Sequence, residues 1–351
     1  MNIEILKHWI QRIDITRVAY RNARDFYHRA RKLLFYLHDA RKSWRDMRWL
    51  GGAKKDYWVL SSELLFQYHK LEKGLSMPGP KRFFGYDPAT AVVDLLGKWR
   101  SEGFPTESRI YRGAIATLDS YRERICNTPP ENGALLTRRL NAALDGYSDI
   151  GRDVVTPMPI EPLMRASDVS VEQLTRLLTA RRSVRDFDAD RLVPKSLIER
   201  AIELAQLSPS ACNRQPWRIH AYSERNLIDK LLHHQNGNRG FGHVVPLLLI
   251  ICSDGRCFFD ASERHEPYVD GGLFAMSLML ALQVQGISSC CLNWCVESEN
   301  DLAVHYLGGL EPAERIVMFM AVGFPQKDSV VPRSPRRPLD DVLTFHSSDA
   351  R

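Results

Sequence analysis

Three arginines fall within five positions, at Arg181, Arg182 and Arg185, with Ser183 between them, where a helical pattern ends and an extended segment begins. Guanidinium groups packed this closely repel one another, so they need an anion or several carboxylates in the same space. A phosphate ligand would supply the anion; a solvated basic helix end, favoured by the helix dipole, is the plainer alternative. About 25 residues further on, the turn SPSACNRQPW offers Pro209, Ser210, Asn213 and Gln215 ahead of Trp217. Its amides, hydroxyls and carboxamides could grip the polar edge of a heterocycle without bringing net charge, or could simply cap a loop around a buried tryptophan. A third place is the apolar run Gly271 to Gly286, leading into ISSCCLNW with Cys291, Leu292 and Asn293. Its paired glycines permit close backbone approach to a neighbour or a ligand, with core packing as the default. A fourth is Gly323, Phe324 and Pro325, followed by a proline-rich tail with Arg333, Arg336 and Arg337. Cys290, Cys291 and Cys295 have no His or second Cys pair at zinc spacing, so no metal is expected.

The elements that must position these residues follow from periodicity. Ser170 with Gln173 three residues later forms a capping box that starts a helix running to about Arg182. A second helix is led in by Pro194 and spans Lys195 to Leu207. Four short apolar or β-branched runs, 217–223, 244–254, 287–294 and 315–324, predict strands alternating with helices, hence a sheet covered by helices. Before residue 165 the chain predicts helix throughout. Phe26, Tyr27, Leu33, Leu34, Tyr36, Leu37, Trp44 and Trp49 recur at helical spacing with arginines opposite. Prolines and glycines between residues 74 and 88 forbid a continuous helix. Helices are expected again at 89–102, 107–126 and 135–144, then a linker at 156–168.

A chain of 351 residues, 44% apolar and 26% charged, has room for two ordinary globular domains. Seven cysteines, an odd number, with no basic-then-apolar leader, argue against a secreted disulfide framework and for a cytoplasmic setting. The run Gly271 to Gly286 is too short to cross a bilayer and reads as a buried helix. The net charge of +6 is modest but uneven, since residues 1–55 hold 14 Lys or Arg against 5 Asp or Glu. That region suits a peripheral contact with an acidic partner or a membrane surface, or a packed helical core solvated by its arginines. No nucleic-acid-binding motif is recognisable.

The order RRSVRDF, SPSACNRQPW, long apolar helix, GFP and RRPLDD resembles the nitroreductase family over roughly 170 residues, about half the chain. The resemblance implies an α+β fold, with a nitroreductase-like central and mainly antiparallel sheet flanked by helices, over residues 166–351. An all-helical, basic region precedes it at 1–165. It further implies flavin mononucleotide (FMN) as cofactor, NADH or NADPH as reductant, a small-molecule electron acceptor and a homodimer with the flavin at the subunit interface. Carried over by position, Arg181, Arg182 and Ser183 lie on the phosphate and ribityl side, and Arg185 against the N1 edge of the flavin ring. Pro209, Ser210, Asn213 and Gln215 approach from the second subunit, and Arg336 returns to the phosphate. Residues Cys291 to Trp294 depart from the family, because Asn293 and Trp294 stand where many members have glutamate and glycine beside flavin N5. Residues 69–85 resemble an extension of nitroreductase-like proteins from bacterial polysaccharide-biosynthesis loci. That leaves a second expectation, a flavin fold serving as a binding or regulatory module in such an assembly.

Overall fold

The computed structural model describes residues 3–47, 56–78, 83–126, 133–145, 147, 157–158 and 168–346. Its first half is helical: α1 (Ile3–Asp46), α2 (Tyr57–Ser76), α3 (Tyr86–Ser101), α4 (Arg109–Cys126) and α5 (Gly133–Leu144). The helices α2 to α5 bury a core of their own around Leu64, Leu71, Trp99, Tyr111 and Tyr121. The expected break between α2 and α3 is made by Gly85, in a left-handed conformation at the α3 N-terminus. A Cβ there would meet Leu71 at 2.8 Å, so both the backbone and the packing demand glycine. Most of the expected linker, and Trp49, lie outside the described residues.

The helix α1 does not join that core. Its Lys42 bonds Asp301 at 2.5 Å and its Arg45 bonds the Pro312 carbonyl at 2.5 Å, so its polar face meets the second half of the chain. The opposite face carries Phe26, Leu33, Leu37 and Trp44, and these point outward, with Phe26 73% and Trp44 80% exposed. An amphipathic helix packed by its polar side leaves apolar area in water, which is the reverse of the usual arrangement. The packed-core alternative for residues 1–55 therefore fails for the described side chains of α1.

The second half is an α+β unit. A sheet of β1 (Trp217–Tyr222), β2 (Leu247–Asp254), β3 (Ser288–Asn293) and β4 (Glu314–Gly323) runs in the order β1-β2-β4-β3, each neighbouring pair antiparallel. The segment after α6 (Val171–Ala180) adds to its β3 edge through a parallel bridge of Ser183 with Ser289. One face of the sheet is covered by α7 (Lys195–Ala205) and α9 (Glu266–Val284), and the other by α8 (Arg225–His233) and α10 (Ser298–Gly308). The capping box forms with both halves made, Gln173 N to Ser170 Oγ at 3.2 Å and Ser170 N to Gln173 Oε1 at 2.7 Å.

The helix α9 begins five residues before the apolar run, at Glu266, with Pro267 in its first turn where a missing N–H costs nothing. At 19 residues it is long and apolar enough, by length and composition, to cross a membrane, which corrects the sequence-based length. It packs instead against the sheet through Phe274, Leu278 and Leu282. Of the paired glycines, Gly271 is the one that matters: a Cβ there would sit 2.5 Å from Val317, so the helix lies close on β4, whereas Gly272 faces open space.

Candidate functional site

The residues Arg181, Ser183 and Arg185 lie along the added edge segment, beside Cys290 and Cys291 of β3. Burial raises the Cys290 thiol above its ordinary range, and Arg185 and Ser183 partly offset this from close by. Burial likewise pushes Cys291 up to about 11, against an opposing pull from Arg181. Both thiols are therefore neutral near pH 7, which makes them walls rather than nucleophiles. Among the described residues no carboxylate pairs with Arg181, Arg182 or Arg185. Arg182 instead folds back on the Arg181 carbonyl at 2.9 Å. Among the described residues the carboxylate answer to the crowded arginines is not taken up, and an anion would be a fitting partner.

The end of β3 bounds a cavity of about 800 Å³ together with the strand's continuation to Ser298, residues 315–318 of β4, Tyr268 and α1. Cys291, Leu292 and Asn293 all line it, with Leu292 otherwise buried in the core. The Asn293 carbonyl accepts from Gln235 Nε2 at 2.9 Å, which ties the 233–238 loop to this strand end. Trp294 is held by stacking on Phe319, with centroids 4.5 Å apart, and by donating Nε1 to Asp301 at 2.9 Å. Burial works against the Asp301 charge, yet Lys42 and Trp294 hold its carboxyl below the usual range.

The turn 208–216 is built as a stiff unit. Cys212, Asn213 and Gln215 all have positive φ (51°, 55° and 52°), a conformation that side chains enter at a cost and that clusters at ligand-binding places. The cost is met by a dense set of bonds. Gln215 N donates to Ser210 Oγ at 3.0 Å, Ala211 N donates to the Asp270 carboxylate at 3.1 Å, and Trp217 Nε1 donates to the Asp270 carbonyl at 2.9 Å. Arg214, 1% exposed, donates to the Ala211 carbonyl at 2.9 Å and doubly to Glu263 at 2.9 and 2.7 Å. Helix α2 braces the turn from behind, with Phe66 against Phe259 and a small cavity of about 190 Å³ between Tyr57, Trp58 and Gln215. Asp270, Glu263 and the α2 brace are the residues that sequence reasoning missed.

One chain does not bring all the expected residues together. Ala211 is tied to Asp270 and Cys291 touches Met279 at 3.3 Å, nine positions further along α9. At ~1.5 Å of rise per residue the turn and the arginine edge are roughly 14 Å apart along that helix. Pro209, Ser210, Asn213 and Gln215 do not line the larger cavity. Arg336 lies on an exposed tail and, among the described residues, bonds only the Ser334 carbonyl at 2.6 Å.

Residues 178–238 and 230–324 match the description of the nitroreductase family. The second half of the chain thus carries a nitroreductase-family domain. An Archaeoglobus fulgidus protein described as an NADH dehydrogenase/NAD(P)H nitroreductase is 27% identical over 164 residues, 45% of this chain and 88% of its own. Human iodotyrosine deiodinase 1 is 24% identical over 203 residues, 49% of this chain and 68% of its own. A nitroreductase from Desulfovibrio desulfuricans, solved in complex with FMN, is 18% identical with a TM-score of 0.43, covering 50% of this chain and 96% of its own.

Proposed function

We propose that this protein is an FMN-dependent oxidoreductase that takes reducing equivalents from NADH or NADPH and delivers them to an organic acceptor. The observation that carries the reading is the edge of Arg181, Ser183 and Arg185, with no carboxylate partner among the described residues, running alongside the strand whose end forms a wall of the 800 Å³ cavity. A donor set of guanidiniums and a hydroxyl fits a phosphate, and a cavity of this size fits a flavin ring with an acceptor beside it. Arg181, Arg182 and Ser183 would hold the phosphate side, and Arg185 the N1 edge, where a cation stabilises reduced flavin. Backbone groups of Cys291, Leu292 and Asn293 would face the reacting edge. FMN, when bound, supplies two-electron transfer, so the chain itself needs no general acid, base or nucleophile.

The separation of the turn from the arginine edge supports a homodimer in which Pro209, Ser210, Asn213 and Gln215 of one copy face the flavin of the other. Two further features agree with it. Helix α6 has no buried residue although it carries Val171, Leu174 and Leu178, and α9 leaves Val269, Leu273 and Met276 uncovered. Apolar area of this extent on two adjoining helices suits a partner surface. Replacing Arg181 or Arg336 by alanine is the test. Each removes a charge-assisted contact of about 1.5–3 kcal/mol, so FMN affinity should fall roughly tenfold to a hundredfold. Unchanged affinity in both variants would overturn the assignment.

A further inference from the structure

Helix α1 turns two faces to two different surroundings. Its inner face lines the 800 Å³ cavity with Arg31, His38 and Lys42, and is pinned there by the pairs of Arg31 with Glu297 and Lys42 with Asp301. Its outer face is a stripe of Phe26, Leu33, Leu37 and Trp44, with Ala23, Ala30 and Ala40 between them, at alternating steps of three and four residues. Every residue of the stripe is exposed, and the four large side chains range from 57% for Leu37 to 80% for Trp44. At ~1.5 Å of rise per residue the stripe is roughly 30 Å long. A soluble surface seldom carries so continuous an apolar strip without a partner for it.

The charge around the stripe decides what covers it. The whole chain is +6, yet residues 1–55 hold 14 Lys or Arg against 5 Asp or Glu, so the rest of the chain is slightly negative. On α1, Arg31, Lys42 and Arg45 are spent on Glu297, Asp301 and Asp46. Arg41 on one flank of the stripe, and Arg21 and Lys32 on the other, stand exposed, with stems long enough to lie along the apolar face while the charges reach past it. Tyr27 and Tyr36, 61% and 72% exposed, border the stripe on opposite sides, as amphipathic rings do at a lipid interface. Exposed Glu299, beside Tyr27 and Leu34, marks the edge that faces water. A second copy of α1 would suit the spacing but would set the same positive excess against itself. A protein partner would also need a groove matched to the strip, whereas a bilayer needs no matching shape, only a depth of roughly 5–10 Å.

We propose that α1 docks this protein on an anionic bilayer. The helix lies in the plane of the interface, with Phe26, Leu33, Leu37 and Trp44 sunk among the acyl chains and Arg21, Lys32 and Arg41 at the level of the phosphates. The proposal stands apart from the flavin reading, since it uses only the outer face of α1. Its consequence is positional. Because the inner face of the same helix walls the cavity, docking holds that cavity within one helix diameter, about 10–12 Å, of the lipid.

The test uses the full chain and measures its partitioning onto vesicles by flotation. Vesicles of phosphatidylcholine alone are compared with vesicles of phosphatidylcholine and phosphatidylglycerol, at low and at physiological salt. A preference for the anionic vesicles of at least ~tenfold is expected, weakening as salt rises. The double variant Phe26→Ser, Leu37→Ser keeps every charge and removes two inserted side chains, so partitioning should fall at least ~tenfold. The triple variant Arg21→Gln, Lys32→Gln, Arg41→Gln keeps the stripe and should lower the anionic preference by at least ~tenfold. Both sets of substitutions lie at exposed positions, so thermal denaturation should match the parent and show that folding is intact. Equal uptake by neutral and anionic vesicles would overturn the proposal. So would anionic binding that survives the loss of Phe26 and Leu37, which would reduce it to adsorption by charge. A wild-type chain that ignores both vesicles would overturn it as well, and sedimentation as a larger assembly than the Phe26→Ser, Leu37→Ser variant would then give the stripe to a second copy.

Discussion

The buried pair of Arg214 and Glu263 offers a quantitative check on how the turn at 208–216 is held. In Arg214→Met the side-chain volume is roughly kept, but at least three bonds are lost, among them the one to the Ala211 carbonyl at 2.9 Å and the two to Glu263 at 2.9 and 2.7 Å. Breaking a buried pair from one side costs about 3–5 kcal/mol, mostly because the remaining charge stays desolvated. Glu263 keeps its bond from Phe259 N at 3.0 Å, and its side chain is 16% exposed, so the lower end, about 3 kcal/mol, applies. With an unfolding entropy of ~2.1 cal/mol/K per residue, that is about 8 °C of Tm if a unit of ~180 residues melts, and about 4 °C if the whole chain melts together. Thermal denaturation followed by circular dichroism and by tryptophan fluorescence would measure it, with Arg214→Lys expected to fall between the two. A loss of 1 °C or less in Arg214→Met would refute the claim that this pair fixes the turn.

Other consequences are open to similar tests. Burial, partly opposed by the bond from Ala211 N, pushes the Asp270 carboxyl up to about 6. Its folded value then exceeds the unfolded one, so the folded protein holds that proton more tightly, and stability should fall as pH rises from about 4 to about 6 and then level off. At ~1.4 kcal/mol per unit the effect is at most about 3 kcal/mol, and Asp270→Asn should flatten Tm across that window. An unchanged slope would remove Asp270 as the cause. For association, the full chain should sediment as a dimer on dilution, and the pair Leu174→Asp, Leu273→Asp should give monomers that lose FMN; monomers that keep it would end the shared-pocket proposal. For α1, the outward Phe26, Leu33, Leu37 and Trp44 with exposed Arg21, Arg24, Lys32 and Arg41 suit an anionic lipid surface. Co-sedimentation with anionic vesicles should be strong at low salt, weak above physiological ionic strength and lost in Leu33→Glu, Leu37→Glu; equal pelleting with neutral vesicles would exclude it.

How much of this was readable beforehand depended on whether a feature is local. The capping box at Ser170 and Gln173 was legible because both bonds are made within one turn of chain. The four strands were legible because a buried sheet demands β-branched and apolar runs such as 315–324. The start of α9 was missed since EPYVD reads as polar and proline-containing, although proline in a first helical turn is tolerated. The stripe on α1 was visible as periodicity, but periodicity does not say which face meets the protein. That is decided by Lys42 meeting Asp301, a pairing across 259 positions. The roles of Asp270 and Glu263 were invisible for the same reason, since a carboxylate near a helix start looks like an ordinary cap until the turn that it holds is in place. Of the site itself, the arginine edge and the strand end could be read from residue types and order. The α1 wall of the cavity could not.

The central claim is that this chain binds FMN and is reduced through it. The direct measurement is flavin content of the purified full-length protein after reconstitution, followed by anaerobic addition of NADH or NADPH while absorbance near ~450 nm is recorded. The expected result is one FMN per chain, bleached by at least one of the two nucleotides and restored when an acceptor is added. Protein that stays colourless after incubation with excess FMN would contradict the account and favour a flavin fold that serves as a binding module instead.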